Sequence, residues 1–429
     1  MTLAVNICAY DSVECHGGPH VWVTRIASAL KKLNVDVRVT LLSWDIPEQG
    51  FAYTALQQQG VEVATKRLTE TSEDVRWLLQ QVEHSAPDVF VVNNVIPAYY
   101  TTRYLKESKI ATVGVIRSDV EFYDRITQRF AVAPGVDQVS GLVFVSSFLK
   151  GRFSATRPEF PACVIPSGTT LPEEPNLAAN GPLEIAYVGR LVEEAKQITK
   201  LAHAFVNLVK RVPNIRVTLY GDGDRRASIE QIIVASECRH VRLAGHLPDT
   251  ELRGELLKTH VLVLLSDFEG SPMAVMDGMA CGCVPVCLDI RSGIPDLVQH
   301  EVTGLIVKDR DEDFFAAIQR LEEDRVTLRR LSINAQEFSA KYLSIKACSQ
   351  KYLEFFESIG ATTTKPKFRT PNTVELPSFD PIFASEDTRG SSRPLQQEWQ
   401  DTIRQKLGKL YRRFRNPRSG ATGSDRAEA

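Results

Sequence analysis

The residues best suited to chemistry lie between 266 and 286, Ser-Asp-Phe-Glu-Gly-Ser-Pro-Met-Ala-Val-Met-Asp-Gly-Met-Ala-Cys-Gly-Cys-Val-Pro-Val. The apolar run 261–265 predicts a strand, Gly270 a turn and Pro272 a helix start, with the helix running towards Gly282. In a parallel sheet this places Glu269, Gly270, Ser271 and the first helical amides, those of Met273 and Ala274, at the carboxyl edge of the strands. Unpaired N–H groups there receive hydroxyl or phosphate oxygens. Asp277 follows about two helical turns after Glu269, and the helical period predicts a similar face. Two such carboxylates suit a polyhydroxylated ligand, because each accepts a pair of vicinal O–H groups with charge assistance. The alternative is an ordinary helix with surface acids.

Other candidates are spread along the chain. Gly17 and Gly18, within Cys-His-Gly-Gly-Pro-His at 15–20, permit close backbone approach to a phosphate or sugar, or simply make a tight turn. His16 and His20 are left unassigned, since a loop histidine is commonly just solvated. Asp222-Gly223-Asp224 matches a metal-holding D-x-D string, but it follows a strand directly and turn chemistry explains it better. No metal is expected.

These residues need a scaffold, and two trains of short apolar runs alternating with amphipathic segments supply one. The first predicts strands at 3–9, 35–42, 61–66, 88–93, 111–116, 142–146 and 163–166, with helices such as 20–33 and 72–85. The second predicts strands at 183–188, 216–220, 241–244, 261–265, 284–287 and 304–307, with helices near 197–210, 226–236, 249–258 and 273–281. This is an α/β chain of two Rossmann-like, doubly wound domains, 1–170 and 183–340, joined by a Pro-, Gly- and Asn-rich linker at 171–182. Residues 309–358 look helical, with a crossover helix at 341–360.

Beyond it, 361–394 carries five prolines and reads as an irregular linker. Trp399, Ile403, Leu407, Leu410 and Phe414 then mark one stripe of a helix over 395–418, where seven Lys and Arg face two acids. A basic amphipathic helix suggests peripheral contact with an anionic membrane, or a partner groove, or docking on its own body. Residues 419–429 are read as a flexible tail.

The 429 residues, 43% hydrophobic and 24% charged, exclude a disordered, collagen-like or membrane-embedded body. The net charge of −2 implies no general polyanion or nucleic-acid binder. Eight cysteines without a C-x-x-C pair favour reduced, buried thiols in a cytoplasmic protein over disulfides or a zinc site. The N-terminus reads as a first strand rather than a signal peptide. Neither domain opens with G-x-G-x-x-G, which disfavours a dinucleotide oxidoreductase.

The 266–286 segment resembles the E-x7-E signature of family four glycosyltransferases, which have the GT-B fold. Glu269 and Asp277 occupy the acid positions, and Ala280-x-Gly282-x-Val284-Pro285-Val286 is a slightly stretched form of the ending. The resemblance extends over nearly all of 1–340 and includes Gly17-Gly18, Ile165-Pro166-Ser167-Gly168, Val188-Gly189-Arg190-Leu191 with Lys196, Gly221-Asp222-Gly223, Ala244-Gly245 and Thr303-Gly304-Leu305.

It implies a nucleotide-sugar donor in the second domain, with Arg190 and Lys196 on the diphosphate and Glu269 on the sugar hydroxyls. Gly17, Gly18, Gly189, Gly221, Gly245, Gly270, Ser271, Pro272, Met273 and Ala274 would surround the donor, and Asp277, where the family usually has Glu, would take the ribose. Many members also carry a His after the fifth strand; here Arg117 and Asp119 stand there, for an anionic acceptor or as an ion pair.

The implied activity is retaining, metal-independent transfer of a sugar to a polysaccharide, lipid-linked or small-molecule acceptor. The rivals are a nucleotide-sugar epimerase or hydrolase and a non-catalytic GT-B-like binding protein.

Overall fold

A computed structural model describes residues 2–13, 17–174, 181–360, 367–376 and 383. Two parallel sheets organise them. The first contains β1 (Ala4–Asp11), β2 (Asp36–Ser43), β3 (Glu62–Arg67), β4 (Val89–Asn93), β5 (Ala111–Ile116), β6 (Gly141–Phe144) and β7 (Ala162–Val164), in the order β3-β2-β1-β4-β5-β6-β7. The second contains β8 (Leu183–Val188), β9 (Ile215–Tyr220), β10 (Val241–Gly245), β11 (Val261–Leu264), β12 (Val284–Leu288) and β13 (Leu305–Val307), in the order β10-β9-β8-β11-β12-β13.

Helices cover both sheets, so central strands are buried on both faces and read as unbroken apolar runs; Val89, Val91 and Val92 of β4 and Val261 and Val263 of β11 are fully buried. Ile7 pairs with Val39 on one side and Val91 on the other, and Ile185 pairs with Val217 and Val261. The strand order therefore reverses beside β1 and beside β8, and each reversal opens a crevice at the carboxyl ends of the strands.

The helix Gly18–Lys32 begins where Pro19 fits a first turn, ends on Lys31 and Lys32, and buries Trp22, Val23, Ile26, Ala27 and Leu30 on the first sheet. The helix Ile198–Arg211 buries Ile198, Leu201, Ala202, Phe205 and Leu208 on the second in the same way.

The helical region expected over 309–358 is broken into Glu312–Glu323, Arg325–Phe338 and Ile345–Gly360. Asp324 stops the first and caps the second by accepting from the Thr327 amide at 2.9 Å. The last helix returns to the first domain, where Tyr352 and Phe356 enter its core.

The chain thus crosses between domains twice, and the crossings touch. Thr169 donates its amide to the Leu343 carbonyl at 2.8 Å and accepts from the Ile345 amide at 2.7 Å. After residue 366, the stretch 367–376 has neither helix nor strand and lies along the first domain: the Thr370 amide donates to Glu83 and the Glu375 amide to the Tyr104 hydroxyl. Phe383 is fully buried against Phe122 and Phe130.

The seven described cysteines are free thiols, and burial pushes Cys281 up to about 11 and Cys163 and Cys348 up to about 12. Among the described residues no helix is long and apolar enough to cross a membrane. Cys15, His16, the centre of the 171–182 linker and the basic 395–418 segment lie outside the described residues.

Candidate functional site

The carboxyl ends of β8, β9 and β10 are tied by a line of glycines. The Gly189 amide donates to the Tyr220 carbonyl at 3.0 Å and the Gly221 amide to the Gly245 carbonyl at 2.8 Å. Gly221, at φ +139°, lies so close to the preceding loop that a Cβ would stand 1.9 Å from the Gly189 carbonyl oxygen. Only glycine fits there. This packing fixes the loop that follows β8, and the Tyr187 hydroxyl holds the Arg190 carbonyl at 2.9 Å. Arg190 itself is exposed, with no ion-pair partner among the described residues.

Lys196 sits in a strained corner of that loop. Its neighbours Ala195 and Gln197 are both left-handed, at φ 55° and 48°, a conformation that costs about 1–3 kcal/mol at each non-glycine residue. The surroundings hold it: the Asp267 amide donates to the Ala195 carbonyl at 2.6 Å, and the Gln197 amide to the Glu193 carbonyl at 3.0 Å. The outcome is that Lys196 forms an ion pair with Glu269, both side chains being less than a fifth exposed. Burial, followed by the nearby Glu269 charge, pushes the Tyr187 hydroxyl up in pKa, against the pull of Arg190.

Glu269 does not belong to the helix after it, which spans Met273–Ala280 behind Pro272. The expectation that Glu269 and Asp277 share a helical face is therefore corrected: residues 269–272 are irregular, and the helical period does not carry across them. The amides of Met273 and Ala274 meet no acceptor among the described residues, and the Ser271 hydroxyl is buried without a partner. A cation, a carboxylate, a hydroxyl and a helix N-terminus thus converge on one spot.

The first domain closes over that spot. A Cβ on Gly18 would lie 3.2 Å from the Met273 sulfur, and one on Gly270 would lie 1.9 Å from the Arg117 carbonyl oxygen. Helix N-termini from the two domains meet here, and the Gly17 amide donates to His20 Nδ1 at 3.3 Å.

Three expected residues are placed differently from their sequence reading. Arg117 turns inward: Nε donates to Asn93 at 2.7 Å, Nη1 to Ser167 at 3.2 Å, and the guanidinium covers Trp22 at 4.3 Å. Its Nη2 is buried without a partner, and burial lowers its pKa. That geometry holds β5, β4 and the segment after β7 together rather than presenting a cation to an acceptor. Asp119 does not pair with Arg117; it faces Arg152 at 3.8 Å on the rim.

Asp277 is spanned by Arg25, with Nη1 to Oδ1 at 2.9 Å and Nη2 to Oδ2 at 3.2 Å, and it accepts from the Thr169 hydroxyl at 2.5 Å. Burial alone would lower the pKa of Arg25, but Asp277 and Asp249 outweigh it and hold the pKa above the ordinary value. Asp222 accepts from the Gly223 amide at 2.8 Å and pairs with Arg226 at 3.3 Å, which is turn chemistry. Among the described residues no three His, Cys, Asp or Glu groups cluster as metal ligands.

Residues 172–338 match the family described as Glycosyl transferases group 1. The second domain is thus similar to the group 1 glycosyltransferases, and the match leaves the first domain outside it. The chain is 33% identical over 158 residues to an amylovoran biosynthesis glycosyltransferase of Erwinia amylovora, covering 34% of this chain and 38% of that one. A lipopolysaccharide core biosynthesis glycosyltransferase of Rhizobium meliloti is 22% identical over 346 residues, 80% of this chain and 95% of the other.

Several curated relatives are much longer than the match: the chain spans 38%, 16% and 46% of three of them. Among solved structures, Anabaena HepE in complex with UDP and glucose superposes at a TM-score of 0.67 and 16% identity, covering 83% of this chain and 100% of that one. At such identity the likeness is one of fold, and the chain has the GT-B arrangement of two facing Rossmann-like domains.

Sequence reasoning overlooked Arg25, Asp249, Thr169 and Arg253. One signal existed: Arg25 is the lone charge in the mainly apolar stretch 21–30 of the first helix. An arginine there must find a partner beyond its own sheet.

Proposed function

We propose that the chain is a retaining glycosyltransferase that moves a sugar from a nucleotide-sugar to an acceptor hydroxyl without a metal ion. The observation that carries this reading is the Lys196–Glu269 pair beside the free amides of Met273 and Ala274, under the glycine-lined roof of the first domain. As the bond from the anomeric carbon to the diphosphate breaks, Lys196 and the exposed Arg190 offset the charge growing on the departing phosphate. Glu269 and the helix amides hold the sugar hydroxyls while the ring gains oxocarbenium character. The acceptor oxygen bonds to the same face, and its proton leaves with the diphosphate. Closure of the two domains excludes water, which would otherwise hydrolyse the donor.

The relatives' names, amylovoran and lipopolysaccharide core biosynthesis, support a polysaccharide or lipid-linked acceptor. With it goes a place in the cytoplasm at the inner face of a membrane, touched by the basic segment 395–418.

Two experiments test the reading. Calorimetry of the purified chain against UDP, GDP, ADP and their sugars is expected to show binding to at least one, and binding to none removes the function. Flotation on anionic vesicles is expected to weaken when the chain is cut after 394; unchanged flotation removes the membrane contact.

A further inference from the structure

Asp277 is the acid that the family signature assigns to the donor ribose, yet in this fold it is already occupied. An ionised carboxylate offers about four lone-pair sites. Arg25 takes one on each oxygen and the Thr169 hydroxyl takes another, with an Arg253 nitrogen 3.9 Å away. What is left cannot accept the two adjacent hydroxyls of a ribose.

Arg25 comes from the first domain, and its side chain is only 8% exposed. Besides Asp277 it reaches Asp249 at 2.9 Å and the Gly168 carbonyl at 3.3 Å. Arg253 adds a bond to the Thr170 carbonyl at 2.6 Å and faces Asp249 at 3.5 Å. Two arginines and two aspartates therefore join one helix of the first domain and two of the second to residues 168–170, where the chain crosses between them.

Resting on the donor-site reading above, we propose that Arg25 is an internal competitor for the ribose position on Asp277, so that seating the donor releases a tie between the domains. The exchange is chemically even: a bidentate guanidinium fork leaves the carboxylate and a vicinal diol replaces it. Arg25 keeps Asp249 and the Gly168 carbonyl when it lets go, so neither charge is stranded. A short acid suits this exchange, because Asp277 must meet both a residue of the opposite domain and a ligand of its own.

The test is calorimetric binding of UDP, GDP and ADP to the full chain and to Arg25→Met, followed by the 2′,3′-dideoxy form of whichever nucleotide binds. Arg25→Met leaves Asp277 with Thr169 and Arg253, so the fold is expected to survive. The expected result is a gain in affinity of about two- to fivefold for the ribonucleotide alone, the scale of one ion pair removed from competition. The dideoxy form is expected to bind both proteins equally, and Asp277→Asn is expected to erase the gain.

Weaker binding, no gain, or an equal gain for the dideoxy form overturns the competition while leaving the donor site intact. Binding of no nucleotide by either protein overturns the donor-site reading and this proposal together.

Discussion

Glu269 and Asp277 stand eight residues apart, and each holds a cation, but the two pairs do opposite things. The Glu269 partner, Lys196, belongs to the same domain and is thrust forward by two left-handed neighbours, so that pair moves as a unit. The Asp277 partner, Arg25, belongs to the other domain, and its geometry lasts only while the domains keep their angle. Carboxylates that look alike in a motif thus divide into one paired within its own domain and one tied to the domain opposite.

The sharpest way to break this division is kinetic. Glu269→Gln is expected to lower kcat by about 10²–10³-fold, the scale of losing a preorganised electrostatic contact. Asp277→Asn is expected to act mainly on KM, and steady-state rates showing equal losses of kcat would end the distinction.

A third cation extends the comparison. Arg117 has only neutral partners, Asn93, Ser167 and Trp22, and Arg117→Met is expected to cost about 2–3 kcal/mol of stability in urea unfolding by orphaning two buried groups and losing the ring contact. If that variant unfolds like the parent but loses acceptor affinity, Arg117 serves the ligand after all. Thr169→Val removes one hydrogen bond to Asp277 and is expected to cost about 1 kcal/mol, with a larger radius of gyration in solution scattering as the sign that the tie has loosened.

The smallest effect belongs to an ordinary surface pair, which calibrates the others. The Glu301 pKa is held low, first by its hydrogen bond from Arg320, and both side chains are well exposed. A carboxylate with a lowered native pKa stabilises above its unfolded pKa, near 4.3, and loses that contribution as pH falls. Arg320→Ala is therefore expected to cost a few tenths of a kcal/mol at pH 7 and nothing at pH 2, read by urea titration.

Much of the fold is legible in the chain because strands buried on both faces leave unbroken apolar runs. β4 and β11 fall within one residue of their expected bounds for that reason. Gly270 and Pro272 likewise announce the turn that carries Glu269.

The places of Arg117 and Asp277 were not legible. A partner such as Arg25, 252 residues distant, leaves no periodic trace, and the sequence alone cannot say whether an arginine after a strand points out to solvent or back under a tryptophan. The helical character of 309–358 was legible, but not its break at Asp324, a tolerable helix residue until its side chain caps the next helix.

The adjoining crossings at Thr169 and Ile345 have a mechanical consequence. Two bodies joined by a single thread can tumble in any direction. Two bodies joined by a pair of backbones hydrogen-bonded side by side can swing about that seam, but cannot twist without tearing it. The domains of this protein therefore share one axis, and Arg25, clasping the chain at Gly168 just beside it, works on a short lever.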